Sequence, residues 1–229
     1  MADRQTWNAR YLAKPLVWSA APNRLLEETT RQLTPGRALD VACGEGRNAI
    51  HLAARGWQVT AVDFSDVAVD KGRQIAAQRG ITVNWQVADI NALALHPGGF
   101  DLVAVIFLHT SSRERELWLP RVVNAVAPGG LFIYIGHDPR NIAEGVGGPQ
   151  DPDVLPSVEN LCETLTGFHI EQAQVVRRTV LAETGHGGHG GQSRQVWQAA
   201  ETGNNRPNSK GEQGLVGNTA LDSFIVARR

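Results

Sequence analysis

Two cysteines and one methionine stand in the 229-residue chain, and several scaffolds fall away with them. Cys43 and Cys162 are far apart and match neither a zinc-ligand spacing nor a redox pair, which points to a reducing compartment. No stretch reaches the roughly 18 apolar residues of a membrane-spanning helix. Met1 to Arg10 mixes charged and polar residues where a secretion signal needs an apolar core. The expected setting is therefore the cytoplasm, with no membrane partner. Charge of one sign is missing too: 22 Lys plus Arg against 23 Asp plus Glu leave a net charge of −1. No global field draws in a nucleic-acid backbone, so no nucleic-acid partner is expected and any ligand must be recognised locally.

What is present is enough apolar material, 42% of residues, to build a sizeable core at a length that suits a single α/β domain, residues 1–229. The run Ala38-Leu39-Asp40-Val41-Ala42-Cys43 reads as a buried strand that enters a tight turn at Gly44-Glu45-Gly46. A helix follows from Arg47, closed by Gly56, and Trp57 to Asp63 is a second strand. Ser65 caps another helix ending at Gly80, with strands at Ile81 to Val87 and Phe100 to Leu108 beyond it. Ser111 and Glu114 form a capping box for a helix that Pro120 should kink or split. After Pro128-Gly129-Gly130, Leu131 to Ile135 is a further buried strand.

Alternation of strand and helix predicts a doubly wound, mostly parallel, Rossmann-like sheet of seven strands. Its last two strands, near His169 to Leu181 and Thr219 to Ala227, lack a helix between them and should form an antiparallel pair. Residues 185–218 between them hold nine of the 24 glycines and read as a flexible insertion. Residues 1–34, with Trp7, Tyr11 and Trp18 ahead of an amphipathic stretch, read as a helical cap, either over the mouth of the sheet or packed onto its core.

A Gly-x-Gly turn between strand and helix lets a ligand approach the backbone, and the helix start offers free N–H groups. Gly44, Gly46 and Ala49 fit G-x-G-x-x-A, and Asp63 follows at the distance where an acid accepts from ribose hydroxyls. Asp40 separates two ligands. A carboxylate beside the turn opposes the pyrophosphate of NAD and welcomes the ammonium of S-adenosylmethionine. Asp89, after the third strand, suits an adenine amine, or else caps a turn.

These residues, together with Ala88-Asp89-Ile90 and Ala127-Pro128-Gly129-Gly130, resemble the successive motifs of class I S-adenosylmethionine-dependent methyltransferases over roughly Arg37 to His137. Within that superfamily, Trp7-Asn8, Arg10-Tyr11, Trp18, Pro22-Asn23 and Val62-Asp63-Phe64-Ser65 are similar to the small-molecule branch of thiopurine methyltransferase-like and tellurite-resistance-type enzymes. The resemblance implies S-adenosylmethionine as cofactor. Its methionine end would lie on Asp40, Ala42, Gly44, Gly46 and Arg47, and its ribose on Asp63. The adenine would meet Phe64, Asp89 and Ile90, with Phe107 near the sulfonium and Trp18 also in contact.

Methyl transfer from a sulfonium is an in-line displacement that needs alignment and exclusion of water. The expected acceptor is a small molecule carrying a thiol, selenium, tellurium or hydroxyl nucleophile. His109 and His137, after the fourth and fifth strands, are the candidate proton acceptors. Phe107-Leu108-His109-Thr110 stands where amino-methylating nucleic-acid enzymes carry an Asp/Asn-Pro-Pro-aromatic sequence. His186 and His189 without further close ligands predict no metal site. Two other classes remain open, a non-catalytic S-adenosylmethionine-binding protein and an NAD-dependent oxidoreductase.

Overall fold

The computed structural model describes residues 3–181, 194–196 and 219–229. Two helices, α1 (Arg4–Leu12) and α2 (Arg24–Thr30), precede the alternating part: β1 (Arg37–Val41), α3 (Arg47–Ala54), β2 (Gln58–Asp63), α4 (Asp66–Gln78), β3 (Asn84–Val87), β4 (Phe100–Ile106), α5 (Ser112–Asn124) and β5 (Val126–His137). Then come α6 (Asn141–Glu144), a 3-10 turn at Pro152–Val154, α7 (Val158–Glu163), β6 (His169–Leu181), β7 (Arg194–Val196) and β8 (Thr219–Arg228). The strand order is β3-β2-β1-β4-β5-β8-β6-β7. Strands β1 to β5 are parallel, and β8 inserts antiparallel between β5 and β6. The seven anticipated strands are all present, and the three-residue β7 adds an edge beside Thr179–Leu181. Apart from β7, the glycine-rich 185–218 span lies outside the described residues, His186 and His189 included.

Alternation along each strand sorts the core into two layers. Ala38, Ala104, Ile133, Ile135, Val176, Phe224 and Val226 face α2 and α3, where Leu26, Ala49 and Leu52 meet them. Leu39, Val103, Phe132, Tyr134 and Ile225 face α5 and α7, against Trp118, Val122 and Leu161. Asp40 shares the first face with Ala38, so its carboxylate is carried into an otherwise apolar layer.

The split expected at Pro120 does not occur: α5 runs unbroken from Ser112 to Asn124, started by the Ser111 and Glu114 capping box. Pro120 and Glu116, whose carbonyl loses its helical donor, are both on the solvent face, where water can satisfy the freed group. Strand β5 begins earlier than anticipated, at Val126, and passes Pro128-Gly129-Gly130 through a register break against β4. Strand β6 contains a bulge. Ile170 opposes Ala227, Gln172 opposes Val226, and Glu171 is the extra residue between them.

Candidate functional site

The carboxyl ends of the parallel strands converge on the turn after β1. Ala42, Gly44 and Gly46 all take the left-handed backbone conformation, with φ of 55°, 56° and 76°. Ala42 does so despite its Cβ, at a cost of order 1 kcal/mol. At Gly46 a Cβ would stand 2.1 Å from the Trp85 ring, so both backbone and space demand glycine. The turn leaves α3 with no side-chain cap on its first N–H groups.

Asp63, at the end of β2, sits under this turn. Its Oδ2 accepts from Gly44 N–H at 2.8 Å and its Oδ1 from Ser65 N–H at 2.9 Å. Burial nevertheless raises its carboxyl above the usual range against those donors. Asp40 is more extreme. It is 1% exposed, and its Oδ2 has no hydrogen-bond partner. Burial pushes it up to about 7, with Ala49 N–H and Arg47 pulling down and Asp63 pushing further up. A buried carboxylate oxygen aimed at a turn that needs glycine fits an ammonium-bearing ligand.

The N-terminal segment closes over this side. Glu45, between the two turn glycines and 4% exposed, accepts from Val17 N–H at 2.9 Å and Trp18 N–H at 3.3 Å. Lys71 of α4 pairs with Glu45 at 3.3 Å and donates to the carbonyls of Tyr11, Lys14 and Pro15. Trp18 Nε1 donates to the Tyr11 hydroxyl at 3.3 Å, which lies within 2.9 Å of the place a Gly44 Cβ would take. Asn8 bonds both Ser65 and Asp66, fastening α1 to the start of α4. Arg47 donates to Ser19 Oγ at 3.2 Å, and burial lowers its guanidinium to about 10, Asp40 opposing and Arg178 reinforcing.

Asp89 is exposed and its Oδ1 accepts from Asn91 backbone and side chain, at 2.8 and 3.1 Å, as a turn cap does. Arg121 holds this loop through the carbonyls of Ile90 and Asn91. Phe64 is half-buried just beyond Asp63.

The second cluster lies where β4, β5, β8 and β6 end together. Phe107 has φ of 57° and donates to Ile135 O at 2.7 Å. Its ring centroid is 5.3 Å from His137 and 6.2 Å from His109, and the two imidazoles stack at 5.4 Å. Burial, reinforced by His137, lowers His109 to about 4. His137 Nδ1 is 3.1 Å from Asp222 Oδ1. Arg178 grips the same carboxylate with Nε at 2.6 Å and Nη2 at 3.1 Å, and its guanidinium also lies over Phe107. Sequence reasoning named both histidines and Phe107 but missed Arg178, Asp222, Glu45 and Lys71. For Asp222 the available signal was a single acid inside the otherwise apolar run of β8.

Among the described residues, no helix is long and apolar enough to cross a membrane. Residues 38–130 match a family model described as a methyltransferase domain. A 2-heptyl-1-hydroxyquinolin-4(1H)-one methyltransferase of Mycobacteroides abscessus is 32% identical over 50% of this chain and 52% of its own. Demethylmenaquinone methyltransferase of Thermus thermophilus is 33% identical over 46% and 49%. The chain spans about half the length of the curated relatives it matches. Among solved structures, one from work on conversion of a disulfide bond into a thioacetal group during echinomycin biosynthesis covers 99% of this chain and 92% of its own, at TM-score 0.70 and 22% identity. TehB from Haemophilus influenzae follows the chain over 92% of its length and 63% of its own, at TM-score 0.62 and 16% identity. The structural likenesses establish the Rossmann-like fold. Residues 38–130 are thus similar to a methyltransferase domain, and these curated relatives are methyltransferases.

Proposed function

We propose that this protein transfers a methyl group from S-adenosylmethionine to a small-molecule acceptor, as one domain with residues 1–34 capping the cofactor side. The observation that carries the reading is the buried, partnerless Oδ2 of Asp40 beside the glycine turn. In this reading Asp40, the 42–46 backbone and Arg47 hold the methionine end, Asp63 the ribose, and Phe64, Asp89 and Ile90 the adenine, with Trp18 closing the pocket. When bound, the cofactor supplies an electrophilic methyl on a sulfonium, which Phe107 would border.

His109 and His137 stand where an acceptor's proton could be received, and the N-terminal segment keeps water from the turn. The thiopurine methyltransferase-like and tellurite-resistance-type branch is part of the proposal; the fold shared with TehB is compatible with it. Calorimetry with S-adenosylmethionine, S-adenosylhomocysteine and NAD tests the reading. Micromolar binding of the first two and none of NAD is expected, and selective NAD binding overturns it. Release of S-adenosylhomocysteine with any acceptor then separates an enzyme from a non-catalytic binder.

A further inference from the structure

We propose that Asp222 and Arg178 are positioning residues that hold His137 as the base for the acceptor, and that the acceptor is a phenolic or enolic hydroxyl. The inference rests on the methyl-transfer reading above. It begins with register. His137 directly opposes Asp222 across β5 and β8, and Ala220, two residues before Asp222, opposes Arg178 across β8 and β6. Directly opposed residues of antiparallel strands project to the same side. The three side chains therefore meet on the face that carries Asp40, at its carboxyl edge.

Asp222 is 0% exposed and Arg178 3%. Two ions buried in an apolar layer stabilise a fold no better than hydrophobic residues of similar volume, so stability alone does not account for them. The carboxylate does something an apolar pair could not. Its Oδ1 stands 3.1 Å from His137 Nδ1, out of line for a hydrogen bond, yet a lone pair on that nitrogen would be repelled by the carboxylate, so the proton is favoured there and the lone pair is left on Nε2. Gly148 keeps a side chain off the Nε2 edge, with only its backbone beside it. A Cβ there would lie 2.8 Å from Nε2 and 2.6 Å from Cδ2.

The other groups facing His137 fit the same role. Phe107, from the end of β4, presents only its ring, and Gly148 only backbone. His109, stacked on His137, is kept neutral at ordinary pH and so brings no second cation. Asp222 is the one carboxylate in the cluster, and Arg178 has both Nε and Nη2 on it.

A base so prepared selects the acceptor. Thiols ionise near pH 8.5 and need little help, whereas phenolic hydroxyls ionise near pH 10 and react fast only if the proton is removed as the bond forms. In the step, the hydroxyl proton passes to His137 Nε2 while the oxygen pair forms the O–CH3 bond. The S–CH3 bond breaks, its electron pair returns to sulfur, and the sulfonium becomes the neutral thioether. His137 then returns its proton to solvent.

The experiment reads the histidine tautomers by 15N NMR in the protein with S-adenosylhomocysteine bound, alongside initial rates with catechol, 1-naphthol and thiophenol. Expected are the Nδ1–H tautomer at His137, loss of that bias in Asp222→Asn, and turnover of the phenols about 100-fold slower in that variant with the S-adenosylhomocysteine Kd unchanged. If Asp222→Asn fails to fold, His137→Gln supplies the rate comparison, and the wild-type tautomer needs no variant. An Nε2–H tautomer at His137 overturns the inference, as does thiophenol turnover ahead of the phenols with Asp222→Asn neutral. Where no probe is turned over, the tautomer decides. Absence of S-adenosylhomocysteine binding instead overturns the methyl-transfer reading itself, so the two failures are told apart.

Discussion

Asp40 and Asp222 occupy the same face of the sheet, are 1% and 0% exposed, and meet opposite fates. Burial sends Asp40 up to about 7, because Ala49 N–H and Arg47 do not outweigh it and one oxygen lacks any partner. Burial acts on Asp222 in the same direction, yet His137 and Arg178 overcome it and hold the carboxyl below its ordinary value. Equal desolvation therefore leaves one carboxylate short of a cation and the other saturated. In the proposed reading the first is a receptor whose missing partner comes from outside the chain. The second has its charge matched within the chain by Arg178, and in the proposed role it acts through His137.

The contrast breaks hardest at the saturated site. Asp222→Ala removes the buried carboxylate that Arg178 grips through two nitrogens and should destabilise the protein by about 3 to 5 kcal/mol in urea denaturation at neutral pH. A loss under about 1 kcal/mol would mean that the pair is not buried as described. Asp40→Asn should do the reverse in the ligand-free protein. The folded carboxyl of Asp40 keeps its proton from its ordinary value of 3.8 up to about 7, where the unfolded chain has released it, so its contribution to stability falls as pH rises through that window. Asparagine does not titrate, so the variant should gain on wild type between pH 4 and 7, by on the order of 3 kcal/mol at the upper end.

His109 carries the opposite slope: its folded value is lowered to about 4, so its contribution is lost as pH falls from 6.5 toward that value. It is common to both proteins and cancels in their difference. Asp222, lowered, loses its contribution only below 3.8, outside the window. Paired thermal melts across pH 4 to 7 check this, and a flat difference would contradict the raised carboxyl.

Asp63→Ala removes an acceptor proposed for the ribose and the one that braces Gly44, and should weaken S-adenosylhomocysteine binding by roughly 1.5 to 3 kcal/mol, about 10- to 150-fold in Kd by calorimetry. The smallest effect serves as a control. Ser111→Ala removes the capping box of α5, which touches neither carboxylate, and should cost about 1 kcal/mol of stability with the cofactor Kd unchanged.

The half of the site around β1 and β2 was readable because its chemistry is local. Asp40, Gly44, Gly46 and Asp63 come from one strand-turn-helix-strand unit, where spacing along the chain is spacing in space. The other half was only partly readable. Arg178 and Asp222 are 44 residues apart and meet through antiparallel pairing, which no local pattern encodes. Pro120 misled for a similar reason, since its cost depends on whether the freed carbonyl faces solvent. Glu45 was hidden in plain view, its glycine neighbours drawing attention to backbone while its carboxylate held the N-terminal segment.

The bulge at Glu171 decides which side of the sheet receives Arg178. Side chains alternate along a strand, so a regular strand with every residue paired would put Arg178, eight positions after Ile170, on the α5 and α7 side, away from Asp222; the bulge takes Glu171 out of the count and turns Arg178 back. Strand β6 thus works like a reading frame. Deleting Glu171 straightens the ladder and leaves Arg178 opposite Ala220, whereas one residue added between Gln172 and Arg178 turns the guanidinium to the opposite layer, so an insertion in this strand is more damaging to the site than most substitutions within it.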